Sequence, residues 1–229
     1  MNEVVRASTS FSGGVTRLLQ HVVYRRAESA DDLLAIQRLR YEANLREGAI
    51  TPNESRKLLD RFDDSPNGFN VGLYIDGRLA SALRLHFLSR DYPDPVLHEV
   101  YPDVVSPLVA SGMRIIDITR LVADFDLARK HPHLAYATVR LSMLASEHFG
   151  AQLILAAVRR EHIPFYQREF MATKLTEPRP YPTLVKPLSL FQIDYAQNRD
   201  AIIGRHAFHA STEAERRAIF GDPNAFDPG

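Results

Sequence analysis

The chain has 229 residues, of which 45% are hydrophobic and 24% charged, so it can bury a sizeable core and is not of the disordered class. Its 28 basic and 28 acidic residues cancel, which leaves no global charge argument for binding nucleic acid or an anionic membrane surface. The absence of cysteine excludes disulfides, thiolate metal sites and a cysteine nucleophile.

The N-terminal segment has no clear periodicity. Residues 1–14 end in Ser-Gly-Gly, which predicts either a mobile arm or a short leading helix, and we assign residues 1–20 to an N-terminal arm. The segment lacks the apolar core of a signal peptide, and no later run approaches the roughly 18 apolar residues of a membrane span. We therefore expect a cytoplasmic protein that does not insert stably into membranes.

A strand and then a helix are predicted next. His21–Arg26 has the β-branched and aromatic content of a short strand. Ser29, followed closely by Asp32, is typical of a helix N-cap. The helix should run to about Arg46, because apolar residues recur at helical spacing. These apolar residues are Leu33, Leu34, Ile36, Leu39 and Tyr41. After a Gly and Pro break, residues 53–59 are predicted to form a shorter helix.

The clearest turn in the chain is Asp76-Gly77, which joins two strand-like runs, Asn70–Ile75 and Arg78–Leu88, into a predicted hairpin. Side chains alternate along a strand, so Arg84 lies on the face opposite the apolar set of the second run. That apolar set is Leu83, Leu85 and Phe87. Four prolines between positions 89 and 112 exclude a long regular element there and leave short helical turns within 98–109.

The run Met113–Asp124 has the apolar density of a central strand buried on both faces, yet Asp117 and Arg120 interrupt it. Burying charge is costly unless the charge is paired or used. The two residues are therefore either a structural ion pair or part of an active site. Three positions apart, they point to opposite faces of a regular strand. A β-bulge near Thr119–Leu121 would bring both to one face and free a backbone N–H, and we predict such a bulge.

The second half of the chain alternates strand and helix. Residues 125–133 are predicted to be a loop, Leu134–Phe149 a helix that ends at Gly150, and Gln152–Val158 a second buried strand. This order predicts a right-handed βαβ unit with parallel strands. A short helix at 162–170 and strand segments around Pro187 within 183–193 should follow. Residues 195–229 have helical composition and end in a tail that we expect to be frayed.

The predicted element order resembles that of the GNAT acyltransferases: a strand and helix, an antiparallel hairpin, then a βαβ unit with a further helix and strands. The resemblance implies an α/β (α+β) fold in which a mixed central sheet with splayed parallel strands is flanked by helices. We assign residues 21–194 to this acyltransferase domain and residues 195–229 to a C-terminal helical extension.

A series of ionisable residues sharpens this resemblance. The series comprises Arg40, the Asp60-x-x-Asp63 pair, Gly77 followed by Arg84-Leu85, and Asp117-Ile-Thr119-Arg120. It resembles the acyl-homoserine-lactone (autoinducer) synthases and, more closely, the long-chain N-acyl amino acid synthases. The second family is favoured by the following segments: Arg38-Leu-Arg-Tyr41, Val71-Gly-Leu-Tyr74, Asp117-Ile-Thr-Arg-Leu-Val122 and Pro164-Phe-Tyr166.

Three departures bear on the substrates. The chain has no tryptophan, whereas the lactone synthases carry one shortly after the first-helix arginine, which favours the amino-acid-acylating family. Asp117 stands where the lactone synthases have a longer glutamate. The glycine-rich pyrophosphate loop of ordinary GNAT enzymes is absent, because residues 125–130 contain no glycine. This absence favours a phosphopantetheine arm presented by a carrier protein over acetyl-CoA.

The resemblance implies an N-acyltransferase that moves a long-chain fatty acyl group from an acyl carrier protein or CoA thioester to the amine of an amino acid. The alternatives are a small-group N-acetyltransferase that uses acetyl-CoA, an acyl-homoserine-lactone synthase, and an inactive binding module of the same fold. The acyl-phosphopantetheine thioester would be a co-substrate, and no cofactor would be bound permanently. His131, His133, His206 and His209 lack carboxylate or cysteine partners at ligand spacing, so we predict no metal site.

Roles for individual residues follow from the needs of acyl transfer, which are a base, oxyanion donors and a proton for the leaving thiolate. The candidate catalytic residues are Asp117 as base or acceptor anchor, Arg120, and Tyr166 as proton donor to the thiolate. The candidate substrate-binding residues are Arg40, Asp60, Asp63, Arg84 and Thr119. The candidate co-substrate residues are Leu121, Val122, Arg129 and Lys130. Arg159 and Arg160 are further candidates for contacting a phosphate or an acidic carrier protein.

Each of these assignments has a structural alternative. The arginine and aspartate series can form an ordinary salt-bridge network. Tyr166 can simply pack in the core. The basic residues near the strand ends can belong to a solvated loop.

Overall fold

The computed structural model describes the backbone of residues 2–93 and 96–222, and their side chains from Phe11 onward. The strands are β1 Val22–Arg26, β2 Gly68–Ile75, β3 Arg78–Leu88, β4 Ile115–Ala123, β5 Leu153–Val158, β6 Thr173–Lys174 and β7 Ser189–Asp194. The helices are α1 Asn2–Leu19, α2 Ala30–Arg46, α3 Val96–Val100, α4 Pro102–Ala110, α5 Phe125–Lys130, α6 Leu134–Phe149, α7 Ile163–Phe170, α8 Tyr195–Arg205 and α9 Glu213–Phe220.

Within this part of the chain, the seven strands form one sheet in the order β1-β2-β3-β4-β5-β7-β6. Only β4 and β5 pair in parallel, and each of the other pairs is antiparallel. The acyltransferase-type mixed sheet predicted above is therefore present, and β4 is its middle strand. No helix among the described residues has both the length and the apolar character needed to cross a membrane.

Helices cover both faces of the sheet. Alternate residues of β3 show this directly, because Leu83 and Leu85 pack with α6 while Ala82 packs with Ile36 and Leu39 of α2. A third cluster joins apolar residues of α3, α4, β5 and β7. It also contains Tyr101, between α3 and α4, and Leu188, just before β7. The middle of the sheet is thus enclosed on both sides, as the apolar density of β4 predicted.

Several local predictions are confirmed. Ser29 caps α2 and forms a capping box with Asp32. The β2–β3 hairpin turns at Asp76 and Gly77, with φ angles of +49° and +75°, as a tight hairpin turn of this kind requires. Gly150 ends α6 with φ +58°. Of the two alternatives for the N-terminal segment, the described residues form the helix α1. The expected frayed tail at 223–229 lies outside the described residues.

Two local predictions are wrong, each because a short-range interaction was overlooked. Residues 53–59 form no helix, because the side chain of Asn53 bonds neighbouring groups, including the Lys57 carbonyl at 2.9 Å. The segment predicted as a loop at 125–133 begins with α5, which Asp124 caps by accepting from Leu127 N at 2.9 Å. Of the strand segments predicted around Pro187 within 183–193, the one after the proline is present as β7 from Ser189, and residues 183–187 before it are not a strand.

Candidate active site

The predicted β-bulge in β4 is present. Ala82 of β3 pairs with Val122, but Arg84 pairs with Thr119, so two residues of β4 oppose only Leu83 on β3. Arg120 occupies the bulge with φ +56°, a left-handed conformation that is strained for a residue with a side chain. Such strain persists only where surrounding contacts impose it.

The parallel strands separate at the bulge. Pairing between β4 and β5 ends at Ile118 and Ala156, although β4 continues to Ala123 and β5 to Val158. A cavity of about 320 Å³ opens at this point. Its lining includes Ile118, Thr119, Arg120, Leu121, Val139, Ala157, Val158, Arg159, His162, Phe165, Tyr166, Tyr181, Leu184 and Leu188. The mainly apolar wall and the separated ends of the two strands suit an extended acyl chain with its reactive carbon at the gap.

The arginine and aspartate series comes together beside the bulge. Asp63 accepts from Arg40 Nη1 at 2.6 Å and from Arg84 Nη1 at 2.8 Å. Asp60 accepts from Arg84 Nη1 at 2.5 Å and from Arg120 Nη2 at 2.6 Å. Arg120 therefore reaches the same side of the sheet as Arg84. These contacts hold the strained bulge residue by its guanidinium. We call the five residues the ion network: Arg40, Asp60, Asp63, Arg84 and Arg120.

The Asp60 carboxylate of the ion network remains charged. Burial alone would raise the pKa of Asp60, but hydrogen bonds and the positive charges of Arg84 and Arg120 hold that pKa well below its usual value. Burial lowers the pKa of Arg40 to about 10, so its guanidinium is still charged at neutral pH. Three guanidinium groups thus face two carboxylates, and the network carries one net positive charge.

The network residues other than Arg120 do not reach the cavity. The side chains of Arg40 and Arg84 are 0% exposed and that of Asp63 is 2% exposed, and none of these residues lines the cavity. This geometry favours the structural alternative for Arg40, Asp63 and Arg84, and also for Asp60, which lies behind Arg120. Of the predicted substrate-binding residues, only Thr119 lies at the cavity wall.

Asp117 is completely buried beside the network. It pairs across the strands with His86, and its Oδ2 lies 3.7 Å from His86 Nδ1. Neither carboxylate oxygen accepts a hydrogen bond from any described residue. Burial raises the pKa of Asp117, and the nearby His86 only partly opposes that rise. Asp117 does not line the cavity, so its predicted role as base or acceptor anchor requires an intervening group.

The raised pKa makes a testable prediction for Asp117→Asn. A free aspartate has a pKa of about 3.9. Because the pKa is higher in the folded state than in the unfolded chain, the folded protein binds this proton more tightly. The resulting contribution to the stability of wild type is complete below the unfolded-state pKa and is lost as pH rises through the folded-state pKa. We therefore expect the free energy of unfolding of Asp117→Asn to increase relative to that of wild type as pH rises from about 4. Urea unfolding across pH 4–8 measures this.

The matched control is Asp76→Asn, which makes the same substitution at an exposed carboxylate in a turn that asparagine also tolerates. Its stability should track wild type across the same range. Parallel curves for Asp117→Asn and wild type would contradict a raised pKa at Asp117.

Two tyrosines border the cavity. Tyr166, predicted as a proton donor, packs edge-on against Phe165, and burial raises its pKa to about 12, so the phenol keeps its proton. Tyr181 was missed by sequence reasoning. It is 7% exposed, and its hydroxyl has no hydrogen-bond partner among the described residues. No signal in the sequence points to it, because it lies between two prolines in a segment without periodicity.

The candidate co-substrate residues separate in space. Leu121 lines the cavity, whereas Val122 packs against α2. The Arg129 guanidinium lies 5.6 Å from the ring centroid of Phe125, away from the cavity lining. Lys130 lines a second, open pocket beside α1, so the structure does not bring it to the splayed strands. Arg159 does line the cavity, where it pairs with Glu47 and lies 2.8 Å from His162 Nε2.

Comparison with known proteins identifies the family and the fold. A family model described as N-acyl amino acid synthase FeeM matches residues 35–194. The structure of FeeM, an N-acyl amino acid synthase from uncultured soil microbes, is similar with a TM-score of 0.66 and 14% identity, over 78% of this chain and 93% of that one. BjaI, a CoA-dependent acyl-homoserine lactone synthase, gives a TM-score of 0.55 and 17% identity, over 90% of this chain and 95% of that one.

An acyl-CoA N-acyltransferase from Pseudomonas aeruginosa gives a TM-score of 0.52 and 18% identity, over 75% of this chain and 97% of that one. At these identities the structural matches establish a shared fold. No curated protein sequence matches the chain. The family match spans the segment from α2 to β7 and thus contains the bulge, the splayed strands and the ion network.

Proposed function

Because the chain belongs to the FeeM family of N-acyl amino acid synthases and is therefore an acyltransferase, we propose that it transfers a long-chain fatty acyl group from a phosphopantetheine thioester to the amine of an amino acid. The observation that carries this proposal is the apolar cavity of about 320 Å³ at the gap between β4 and β5. An acetyl group would need little of this volume, whereas an extended acyl chain would bury apolar surface along it.

The acceptor is inferred from charge. The ion network carries one net positive charge, and Arg120 is its member at the cavity wall. A zwitterionic amino acid presents a carboxylate that complements this charge, because guanidinium groups bind carboxylates strongly. A simple amine would bring only a second positive charge. The charge balance therefore supports an amino acid as acceptor.

The donor is inferred from the start of α5. Enzymes that bind pyrophosphate at a helix N-terminus use free backbone N–H groups there. In this chain Leu127 N already donates to the Asp124 carboxylate at 2.9 Å, and that carboxylate would repel a pyrophosphate. This arrangement supports an acyl carrier protein over CoA as the donor.

The chemical roles are distributed as follows in this proposal. The bulge supplies backbone N–H donors near the thioester carbonyl, and Tyr166, which stays protonated, supplies a proton to the departing thiolate. Asp117 takes up the amine proton through an intervening hydrogen-bonded group, since both of its oxygens have unused acceptor capacity among the described residues. Arg120 orients the acceptor carboxylate.

The direct test incubates purified protein with acetyl, octanoyl and hexadecanoyl thioesters, on CoA and on carrier protein, together with the protein amino acids and S-adenosylmethionine. Mass spectrometry identifies the products. We expect N-acyl amino acids, formed faster from long-chain carrier thioesters. Acyl-homoserine lactone as the sole product, or acetylated amines without long-chain products, would contradict the proposal. BjaI, which has been solved with SAM and isopentyl-CoA, provides a control for lactone formation.

Filling the cavity should shift the preferred chain length. Ala157 lines the cavity one residue beyond the last β4–β5 pair. In Ala157→Phe the ring would occupy space needed by a long acyl chain, so we expect the ratio of long-chain to short-chain kcat/KM to fall by about tenfold or more, the effect of losing at least 1.4 kcal/mol of binding. Ala196→Phe, at an exposed position of α8, is the matched control and should leave the ratio unchanged.

A further inference from the structure

Tyr181 has a buried hydroxyl with nothing to bond among the described residues. Leaving a buried donor unpaired is unfavourable, and native proteins rarely keep such a group without a use. A second buried tyrosine in the same apolar cluster shows the ordinary situation. Tyr101 donates its hydroxyl proton to the Leu188 carbonyl at 2.7 Å. The free hydroxyl of Tyr181 is therefore a feature of its position rather than of the cluster.

The segment that carries Tyr181 is held firmly against the bulge. Arg179 and Leu188 close it through two backbone hydrogen bonds of 2.7 and 3.0 Å. Thr183, two residues after Tyr181, accepts a hydrogen bond from Arg120 Nη1 at 3.1 Å. The bulge residue is thus tied on one side to the ion network and on the other to the Tyr181 segment. A donor held in this way needs little reorganisation to act on a bound molecule.

The surroundings of Tyr181 define what it can do. It lines the cavity together with Thr119 and Arg120. It also packs in the same apolar cluster as Phe62. The ring centroid of Phe62 in turn lies 5.9 Å from the guanidinium carbon of Arg84. Burial, reinforced by the charge of Asp117, raises the pKa of Tyr181 well above its usual value. The phenol is therefore a proton-bearing donor at neutral pH and does not act as a base.

We propose that Tyr181 is a further catalytic residue, whose hydroxyl donates a hydrogen bond to the carbonyl oxygen of the acyl thioester. This inference rests on the proposed acyl transfer. When the amine attacks the carbonyl carbon, the π electrons of the C=O bond move to the oxygen, which becomes an oxyanion. Tyr181 stabilises that oxyanion and keeps its own proton. The nitrogen gives up a proton, which passes to Asp117 through an intervening group. Re-formation of the C=O bond then breaks the C–S bond, and the thiolate takes a proton from Tyr166.

The first test compares two tyrosine-to-phenylalanine variants. In Tyr181→Phe we expect kcat to fall by about 100-fold, the usual effect of removing one oxyanion donor, with the thermal midpoint unchanged or higher because an unpaired polar atom is removed. In Tyr101→Phe we expect a lower thermal midpoint, because the Leu188 carbonyl loses one of its two donors and keeps only the Arg179 N–H, and kcat within about threefold of wild type. Retained kcat in Tyr181→Phe would overturn the proposal.

The second test needs no turnover. Decanoyl-pantetheine and its thioether analogue S-decyl-pantetheine differ only in the carbonyl group, and calorimetry measures the binding of each. Wild type should bind the thioester more tightly than the thioether, and Tyr181→Phe should reduce this preference by about 2- to 10-fold, the range for one hydrogen bond. No preference for the thioester in wild type, or a preference of the same size in Tyr181→Phe, overturns the role of Tyr181 alone. If wild type binds neither ligand, the proposed function fails as well.

Discussion

Asp63→Asn should destabilise the protein by about 3–5 kcal/mol, the range for breaking a buried ion pair by removing one partner. Asp63 accepts hydrogen bonds from both Arg40 and Arg84. Without its charge, three guanidinium groups would face the single carboxylate of Asp60, and Arg40, which is 0% exposed, would keep only Asn70 as a strong partner. Urea unfolding at neutral pH measures the loss.

Two further variants make this prediction specific. Asp103→Asn removes a carboxylate that pairs with Arg179 through two short bonds on the surface, and it should cost less than about 1 kcal/mol because water replaces the pairing. In the double variant Asp63→Asn/Arg40→Met, the orphaned buried cation is also removed, so part of the stability should return. A cost for Asp63→Asn no larger than that for Asp103→Asn would mean that the ion network contributes little to folding.

Arg120→Ala should lower acyl transfer by about 1000-fold. The guanidinium ties the bulge to Asp60 and Thr183, and it lines the cavity. Without those ties the left-handed backbone at position 120 can relax, which would displace the N–H donors of the bulge. A displacement of about 1 Å at reacting groups costs roughly 100-fold, and the loss of the acceptor contact adds to it. Steady-state kinetics with a long-chain thioester measures the effect.

Arg120→Gly separates the backbone from the side chain. Glycine accepts the positive φ without strain, so the bulge should persist and activity should recover about tenfold relative to Arg120→Ala. Arg56 has φ +50° in an exposed segment, so Arg56→Ala is the matched control for strain and should leave activity unchanged. Wild-type rates in Arg120→Gly would show that the guanidinium is not needed, and wild-type rates in Arg120→Ala would remove the bulge from the mechanism.

The sequence predicted the fold well where the signals were local. The Ser29 cap and the Asp76-Gly77 turn depend on residues within three positions of one another, and the apolar run of β4 identified the middle strand of the sheet. Even the bulge was predictable, because Asp117 and Arg120 could not otherwise share a face. The errors at 53–59 and 125–133 were also local, since Asn53 and Asp124 bond their neighbours in ways that propensity does not reveal.

The membership of the site was decided by contacts between residues far apart in the chain. The sequence singled out the arginines and aspartates but left open whether they pair with one another or bind substrate, and only the folded chain separates Arg120 at the cavity wall from Arg40 and Arg84 buried behind it. It also brings Tyr181 to the cavity and moves Lys130 away from it.

The physical reason is that a residue's exposure depends on which distant segment covers it. Asp60 and Thr183, which hold Arg120, are 60 and 63 residues away along the chain. No period or motif encodes such partners, whereas caps, turns and strand faces are set by backbone geometry within a few residues. The sequence by itself therefore determined the elements and the strained strand, and the tertiary structure determined which of the side chains meet the substrate cavity.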